Sequence, residues 1–418
     1  ALPICLQQMD GTFGLPFLAL ITFAFICASV QSSTLESDVY VLRALKRSID
    51  PITIRSNTYL RSWNFSLDPC ESAGGFIGIL CTVPADNSSK RISAIDLDPA
   101  GYDGFLTNLI GDLTELTDFN IASNQFRGPI PDSVGNLQKL TRLSLGDNIF
   151  TGVMPPGIAG LRRLQVLDLS RNHLSGRIPA NASAMRRLIR LKFSGNSFSG
   201  KIPDLSGLWQ LTTLDLSDNQ FYGDLPNLPA SLTHLDVSKN ALSGHLSPLT
   251  TLMRLKWMDI SQNKFTGKIN QQFLVHKSMT HFNASINSLG YIEPFPFIEE
   301  HTQLQVLDAH RNQLQGRLPE ELPALQDLSW LDLSHNSFSG VVPASYGQKE
   351  GHPWSHLFLQ DNFLAGNLPT SLSNNRSVLK GSFAGNCLRC PATTILCRGA
   401  QRPKAECARH KNGNEPAV

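Results

Sequence analysis

Three sets of residues in this 418-residue chain have the types and spacing to do chemistry. Gly195-Asn-Ser-Phe-Ser-Gly200-Lys201 carries most of a phosphate-binding loop, in which backbone N–H groups and a lysine cradle phosphoryl oxygens. Ile202 stands where a Ser or Thr would hold Mg²⁺, and the segment is accounted for below as part of a repeat. Asp168, Asp215, Asp236, Asp259, Asp308 and Asp332 recur as a column that could form a catalytic or calcium array. Each follows an apolar residue in a short strand pattern, which predicts side chains that solvate an outward face. Cys387-x2-Cys390, with Cys397 and Cys407, has a loose zinc-like spacing, but cystines are the favoured expectation there. HExxH, GxSxG and GxGxxG motifs are absent from the sequence. The reading is therefore non-enzymatic: no catalytic residue, no metal and no cofactor are expected.

The elements that would position these residues come from a repeat. A unit of the form LxxLxLxxNxLxGxIP recurs, as in Leu164-Gln-Val-Leu167-Asp-Leu169-Ser-Arg-Asn172-His-Leu174-Ser-Gly176-Arg-Ile178-Pro179. Its asparagines fall at 124, 148, 172, 196, 219, 240, 263, 287, 312, 336, 362 and 386, after an Asn-less opening unit at Ile92, Ile95 and Leu97. With the Asn386 unit degenerate, this predicts an α/β solenoid of about 12 repeats of about 24 residues. LxxLxL ends in period-two alternation, so it forms a short strand with leucines inward. Stacking these strands makes one parallel sheet roughly 50 Å long. Each Asn amide can satisfy turn groups that the sheet leaves unpaired. The glycines at 128, 152, 176, 200 and 223 permit a tight turn, and prolines such as Pro131, Pro155 and Pro179 fix φ in the return limb.

The compartment follows from the N-terminus and the cysteines. Leu15–Val30 is an apolar run too short for an ordinary membrane span, with small residues near position 32. Residues 1–32 are expected to be a signal peptide, with 1–8 an upstream remnant before Met9. Its removal leaves six cysteines in an oxidising compartment. Cys70 and Cys81 are expected to pair, and Cys387, Cys390, Cys397 and Cys407 to pair among themselves in one of three ways. Sequons at Asn64, Asn87, Asn181, Asn283 and Asn375 agree with secretion and predict glycosylation. With 36 Lys+Arg against 34 Asp+Glu, the net charge of +2 gives no broad footprint for nucleic acid. No second apolar stretch reaches spanning length, so no C-terminal membrane anchor is expected.

GxIP after NxLxG resembles the plant-specific class of extracellular leucine-rich repeat proteins over residues 92–386. Leu42, Leu45, Leu60, Trp63-Asn64, Cys70 and Phe76-x-Gly78-x-x-Cys81 resemble that family's N-terminal cap, with Phe76 in place of its usual Trp. Gly385-Asn386-Cys387 resembles the closing cap. The resemblance divides the chain into a signal segment (1–32), an N-terminal cap (33–91), repeats (92–377), a C-terminal cap (378–407) and a polar tail (408–418). It implies one of three roles: ectodomain of a receptor-like kinase, receptor-like protein without a kinase, or secreted inhibitor of wall-degrading enzymes such as polygalacturonases. No kinase motif follows the repeats here. A protein, peptide or wall-derived ligand is implied, with a receptor kinase or a wall-degrading enzyme as partner, in the plant apoplast or cell wall. Beside the receptor and inhibitor readings, a purely structural wall protein is a further possibility.

The outward strand positions point to a binding face. The residue before the second Leu of each unit runs Ala94, Asp118, Arg142, Val166, Arg190, Thr213, His234, Trp257, His281, Val306, Trp330, His356. The later half is an aromatic and imidazole stripe, widened by His310, His335 and Phe358. Exposed aromatics on a rigid surface mark contact sites. His234, Trp257, His281, Trp330, His356 and Phe358 are therefore the expected ligand face. Arg142 and Arg190, beside Arg171 and Lys192, form a secondary basic group suited to an acidic polymer or partner. The histidines predict binding that varies between about pH 5 and 7. Two units depart from the pattern: Asn287–Phe297 lacks GxIP, and Ser345–Pro353 lengthens a return limb.

Overall fold

The computed structural model describes residues 33–71, 75–86, 88–296, 302–349, 351–373, 379–391 and 394–413. The expected signal segment, Asn87, Asn375 and the end of the tail lie outside them. A helix, α1 (Glu36–Arg47), opens the described chain. Its apolar positions recur at helical spacing, and Val41, Leu42 and Leu45 are buried. Two strands follow, β1 (Ile79–Thr82) and β2 (Arg91–Asp96), paired antiparallel. From β2 onward every strand of the main sheet runs parallel, ending at Lys380–Ser382, in a sheet of 14 strands. The degenerate Asn386 unit contributes that last strand, so its backbone follows the repeat where its sequence does not.

Alternation along each strand places one residue in the core and its neighbours outside. Leu167 and Leu169 have no solvent exposure, while Val166 and Asp168, which alternate with them, are half-buried on the outer face. The residue two after each Asn adds a second inner column, in which Phe126 stacks on Phe150 (6.3 Å) and Phe198 on Phe221 (6.4 Å). The return limbs become short 3-10 turns, such as Asp132–Asn136 and Pro156–Gly160, entered through Pro131 and Pro155. The NxLxG glycines adopt positive φ. At Gly267 (φ 84°) a Cβ would also run into the His245 ring.

The asparagines link successive repeats. Asn148 Nδ2 donates to Leu145 and Gly146 of its own unit and to Ile121 of the preceding one, and its Oδ1 accepts from Phe126 N. The same set recurs at Asn172, Asn336 and Asn362. A second, lateral set of strands follows each Asn. It forms one nine-stranded sheet up to Ser288–Ile292 and one four-stranded sheet from Gln315–Arg317. The break coincides with the unit that lacks GxIP.

Both ends are covered and stapled. Cys70 bonds Cys81. At the other end Cys387 bonds Cys407 and Cys390 bonds Cys397, which selects one of the three arrangements. Phe76 fills the cap position that the family gives to Trp by stacking on buried Trp63 (5.6 Å), whose Nε1 donates to Ile77 O. Among the described residues no helix is long and apolar enough to cross a membrane.

Candidate functional site

Register brings the expected stripe together on the concave sheet. His234, Trp257 and His281 lie on successive strands, then Val306, then Trp330 and His356. Trp257 stacks on His281 (centroids 5.8 Å, 16°) and Trp330 on His356 (3.9 Å, 22°), with Phe358 tilted beside His356 (6.2 Å). Val306 separates the two pairs, so they form two flat platforms about 14 Å apart at the sheet's strand spacing. The rings pack on one another, as cross-strand neighbours do. Trp330 nevertheless stays 36% exposed. Burial holds the His281 and His356 imidazoles below the ordinary histidine range, which keeps these rings neutral near pH 7. His234 is exposed and makes no stacking contact among the described rings.

A carboxylate column runs beside the platforms. Asp215, Asp236 and Asp259 are in register, Asn283 interrupts, and Asp308 and Asp332 continue. Solvation of an open face does not fully describe them, because they are half-buried. The serine two residues on donates N–H and Oγ to one oxygen of Asp215, Asp236 and Asp332. Among the described residues no Lys or Arg pairs with Asp215, Asp236, Asp259 or Asp332. Burial, reinforced by Asp259 and Asp215, pushes the Asp236 carboxyl up to about 6 against its Ser238 hydrogen bonds. Burial and Asp308 raise Asp332 as well.

Asp236 binds its proton more tightly folded than unfolded, so it costs stability above about pH 6, and the cost disappears below the unfolded value of about 3.9. Asn at this position keeps an oxygen for Ser238 and carries no charge. Asp236→Asn is therefore expected to stabilise the protein by about 1–2 kcal/mol at pH 7 and by nothing near pH 4. Urea titrations at the two pH values check this; equal gains at both would refute it.

Asp308, His310 and Asp332 bring ligand-type atoms within 4.8 Å of one another and are the described group that could hold a metal ion. His310 Nδ1 is already hydrogen-bonded to Asp308 Oδ1 (2.7 Å), which raises the imidazole above its ordinary range. The basic group is partly self-neutralised. Arg142 reaches Asp118 on the preceding strand (3.7 Å) and Arg171 reaches Asp147 (3.0 Å), whereas Arg190 and Lys192 have no acidic partner among the described residues. Asn64 and Asn181 are exposed. Asn283 sits in the floor of the sheet, donating to Asp259 and accepting from Ser285.

The long return limb packs inward. Tyr346 and Trp354 are buried and stacked (6.1 Å), and Trp354 Nε1 donates to Tyr346 O. Two clefts off the concave face had no signature in the repeat pattern. One, of about 660 Å³, lies on the lateral side between Arg317, Val341 and Arg389. The other, of about 640 Å³, lies in the N-terminal cap beneath Arg43, Lys46, Arg47 and Arg61. Their residues are ordinary surface types individually, and only the fold assembles them.

Residues 35–82 match the family model for the leucine-rich repeat N-terminal domain. Leucine-rich repeat models match 114–174, 210–232, 303–325 and 327–348. Receptor-like protein 47 of Arabidopsis thaliana is 44% identical over 50 residues, 12% of this chain and 6% of that protein. The crystal structure of PEPR1-AtPEP1 is 26% identical with a TM-score of 0.71, covering 88% of this chain and 55% of that one. That of a plant ice-binding protein is 25% identical with a TM-score of 0.56, covering 87% of this chain and 98% of that one. The chain thus spans little more than half of the PEPR1 structure and a small fraction of Receptor-like protein 47.

Proposed function

We propose that this chain, whose cap and repeats match leucine-rich repeat models and whose fold is similar to that of plant receptor ectodomains, recognises a protein or peptide outside the cell without catalysing a reaction. One observation carries the reading: two stacked Trp–His platforms stand beside a column of carboxylates that no Lys or Arg of the described chain neutralises. The similar proteins cannot carry it alone, since the scaffold is shared by a receptor-like protein and by an ice-binding protein. The favoured ligand is an extended basic segment. Its Lys or Arg side chains would lie over the indole faces and meet Asp236, Asp259, Asp308 and Asp332 alongside. A preformed sheet spares the protein any ordering cost on binding.

The test is affinity capture from plant cell-surface extract by the wild type beside Trp257→Ala/Trp330→Ala. The double variant is expected to hold the partner about 30-fold less tightly or worse. Binding should also weaken as pH falls from 7 to 5. Asp236 gains a proton over that interval, which disfavours a cationic ligand. Equal capture by both proteins would move the site off the stripe. A captured receptor kinase supports a signalling role. Suppression of a purified pectinase by this chain alone would instead make it an inhibitor.

A further inference from the structure

The cleft in the N-terminal cap is a second site, independent of the concave face: we infer that it binds a compact organic anion carrying two or more acidic groups. Its cations come from two separate segments, Arg43, Lys46 and Arg47 from α1 and Arg61 from the turn Tyr59–Ser62. Several outward cations elsewhere reach an acid about one repeat away, as in Arg127–Asp103, Lys139–Glu115, Arg142–Asp118 and Arg171–Asp147, although Arg190 and Lys192 do not. Among the described residues none of the four cap cations has such a partner.

The helix end explains part of this. Lys46 and Arg47 lie in the last turn of α1, where free carbonyls favour cations. Arg43 is one turn earlier and Arg61 is on another element, so the helix end does not account for them. Arg43 is also incompletely satisfied: Nη2 donates to Phe65 O, while Nε is buried and makes no hydrogen bond. A buried guanidinium N–H without an acceptor is costly and calls for a partner. Lys46 Nζ donates to Trp63 O, and its ammonium is held below the ordinary lysine range by burial and by Arg61. An anion between these groups would relieve that repulsion.

The rest of the cleft sets the shape of the guest. Phe65 stands under Arg43 (5.4 Å) and Lys46 (6.0 Å), and Pro51 and Ile54 continue the apolar floor. A volume of about 640 Å³ has room for a ring-sized molecule. Guanidinium forks recognise carboxylate and phosphate alike, so the shared requirement is several acidic groups around a ring.

Calorimetry on the full chain with trimesate and with inositol trisphosphate tests the site, and inorganic sulfate and neutral benzamide serve as controls for charge alone and ring alone. At least one ring anion should bind saturably and more tightly than sulfate, and benzamide should not bind. Arg47→Gln/Arg61→Gln, both exposed positions, should weaken that binding about tenfold or more, while the melting temperature falls by no more than the small helix-end contribution of Arg47. Arg55→Gln, an exposed cap cation outside the cleft, should leave it unchanged. Absence of saturable binding, or equal affinity in the Arg47/Arg61 variant, overturns the site. Neither result bears on the concave face.

Discussion

Asn362→Ala is expected to destabilise the C-terminal repeats by about 3–4 kcal/mol. Asn362 has no solvent exposure. Its Nδ2 donates to Leu333 O of the preceding repeat (3.0 Å) and to Leu359 O of its own (3.2 Å), and its Oδ1 accepts from Phe338 N (3.0 Å). Alanine leaves the Phe338 N–H without its acceptor, at roughly 1–3 kcal/mol, and takes one of two donors from each of Leu333 O and Leu359 O, which keep Asn336 Nδ2 and Asn386 Nδ2, at roughly 0.5–1.5 kcal/mol apiece. Asn362→Asp separates this account from simple loss of volume. A carboxylate still accepts from Phe338 N but offers oxygen to two carbonyls, so it should be no better than alanine. Because a solenoid is stabilised largely between neighbouring repeats, the loss should stay local. Hydrogen exchange should show the Phe338 amide and the strands after Asn336 opening early, with the N-terminal repeats protected as before. A cost below about 1 kcal/mol, or a loss of protection spread over the whole chain, would contradict this ladder.

The architecture was legible because each repeated residue has one local task that recurs at a fixed step. Which neighbour each task serves was not. The sequence places Asn362 at a turn, but it does not reveal that its amide reaches back to Leu333. The residue before each Asn was also hidden. Ser123, Arg171, Ile286 and His335 all take positive φ near 50–58°, and no common side chain marks them. Their N–H groups pair with the next repeat, as Ile286 N does with His310 O. The ladder imposes a conformation that a β-branched residue would otherwise avoid.

The aromatic stripe was readable for the complementary reason, that Trp257 and Trp330 break a pattern. Their division into two platforms depends on Val306 falling between them, which is visible only in register. The same register removes half of the basic group. Arg142 and Asp118 are distant in the chain and adjacent in the sheet, so a charge that looked free is paired. The aspartate column misled in the opposite direction. Its members looked like solvated surface, and the structure half-buries them side by side.

Asp38→Ala should cost about 3–5 kcal/mol and release the N-terminal cap from the first repeat. Asp38 is fully buried on α1 and accepts from Arg91 Nε (2.9 Å), Arg91 Nη2 (3.1 Å) and Ile92 N (2.9 Å) at the start of β2. Removing the carboxylate leaves a mostly buried guanidinium and a strand N–H without their acceptor. Arg91→Met alone strands the carboxylate instead, while Asp38→Ala/Arg91→Met removes both charges and should recover most of the loss. Denaturation of all three variants measures the coupling, and additive costs would show that the pair does not hold the cap. The cycle also bears on the anion cleft, because α1 carries Arg43, Lys46 and Arg47. An opened cap would lose anion binding with every cation still present, together with stability. Arg47→Gln/Arg61→Gln should lose binding with no more than the small helix-end loss of stability, so the two variants distinguish a site that recognises an anion from a cap that merely needs to be folded.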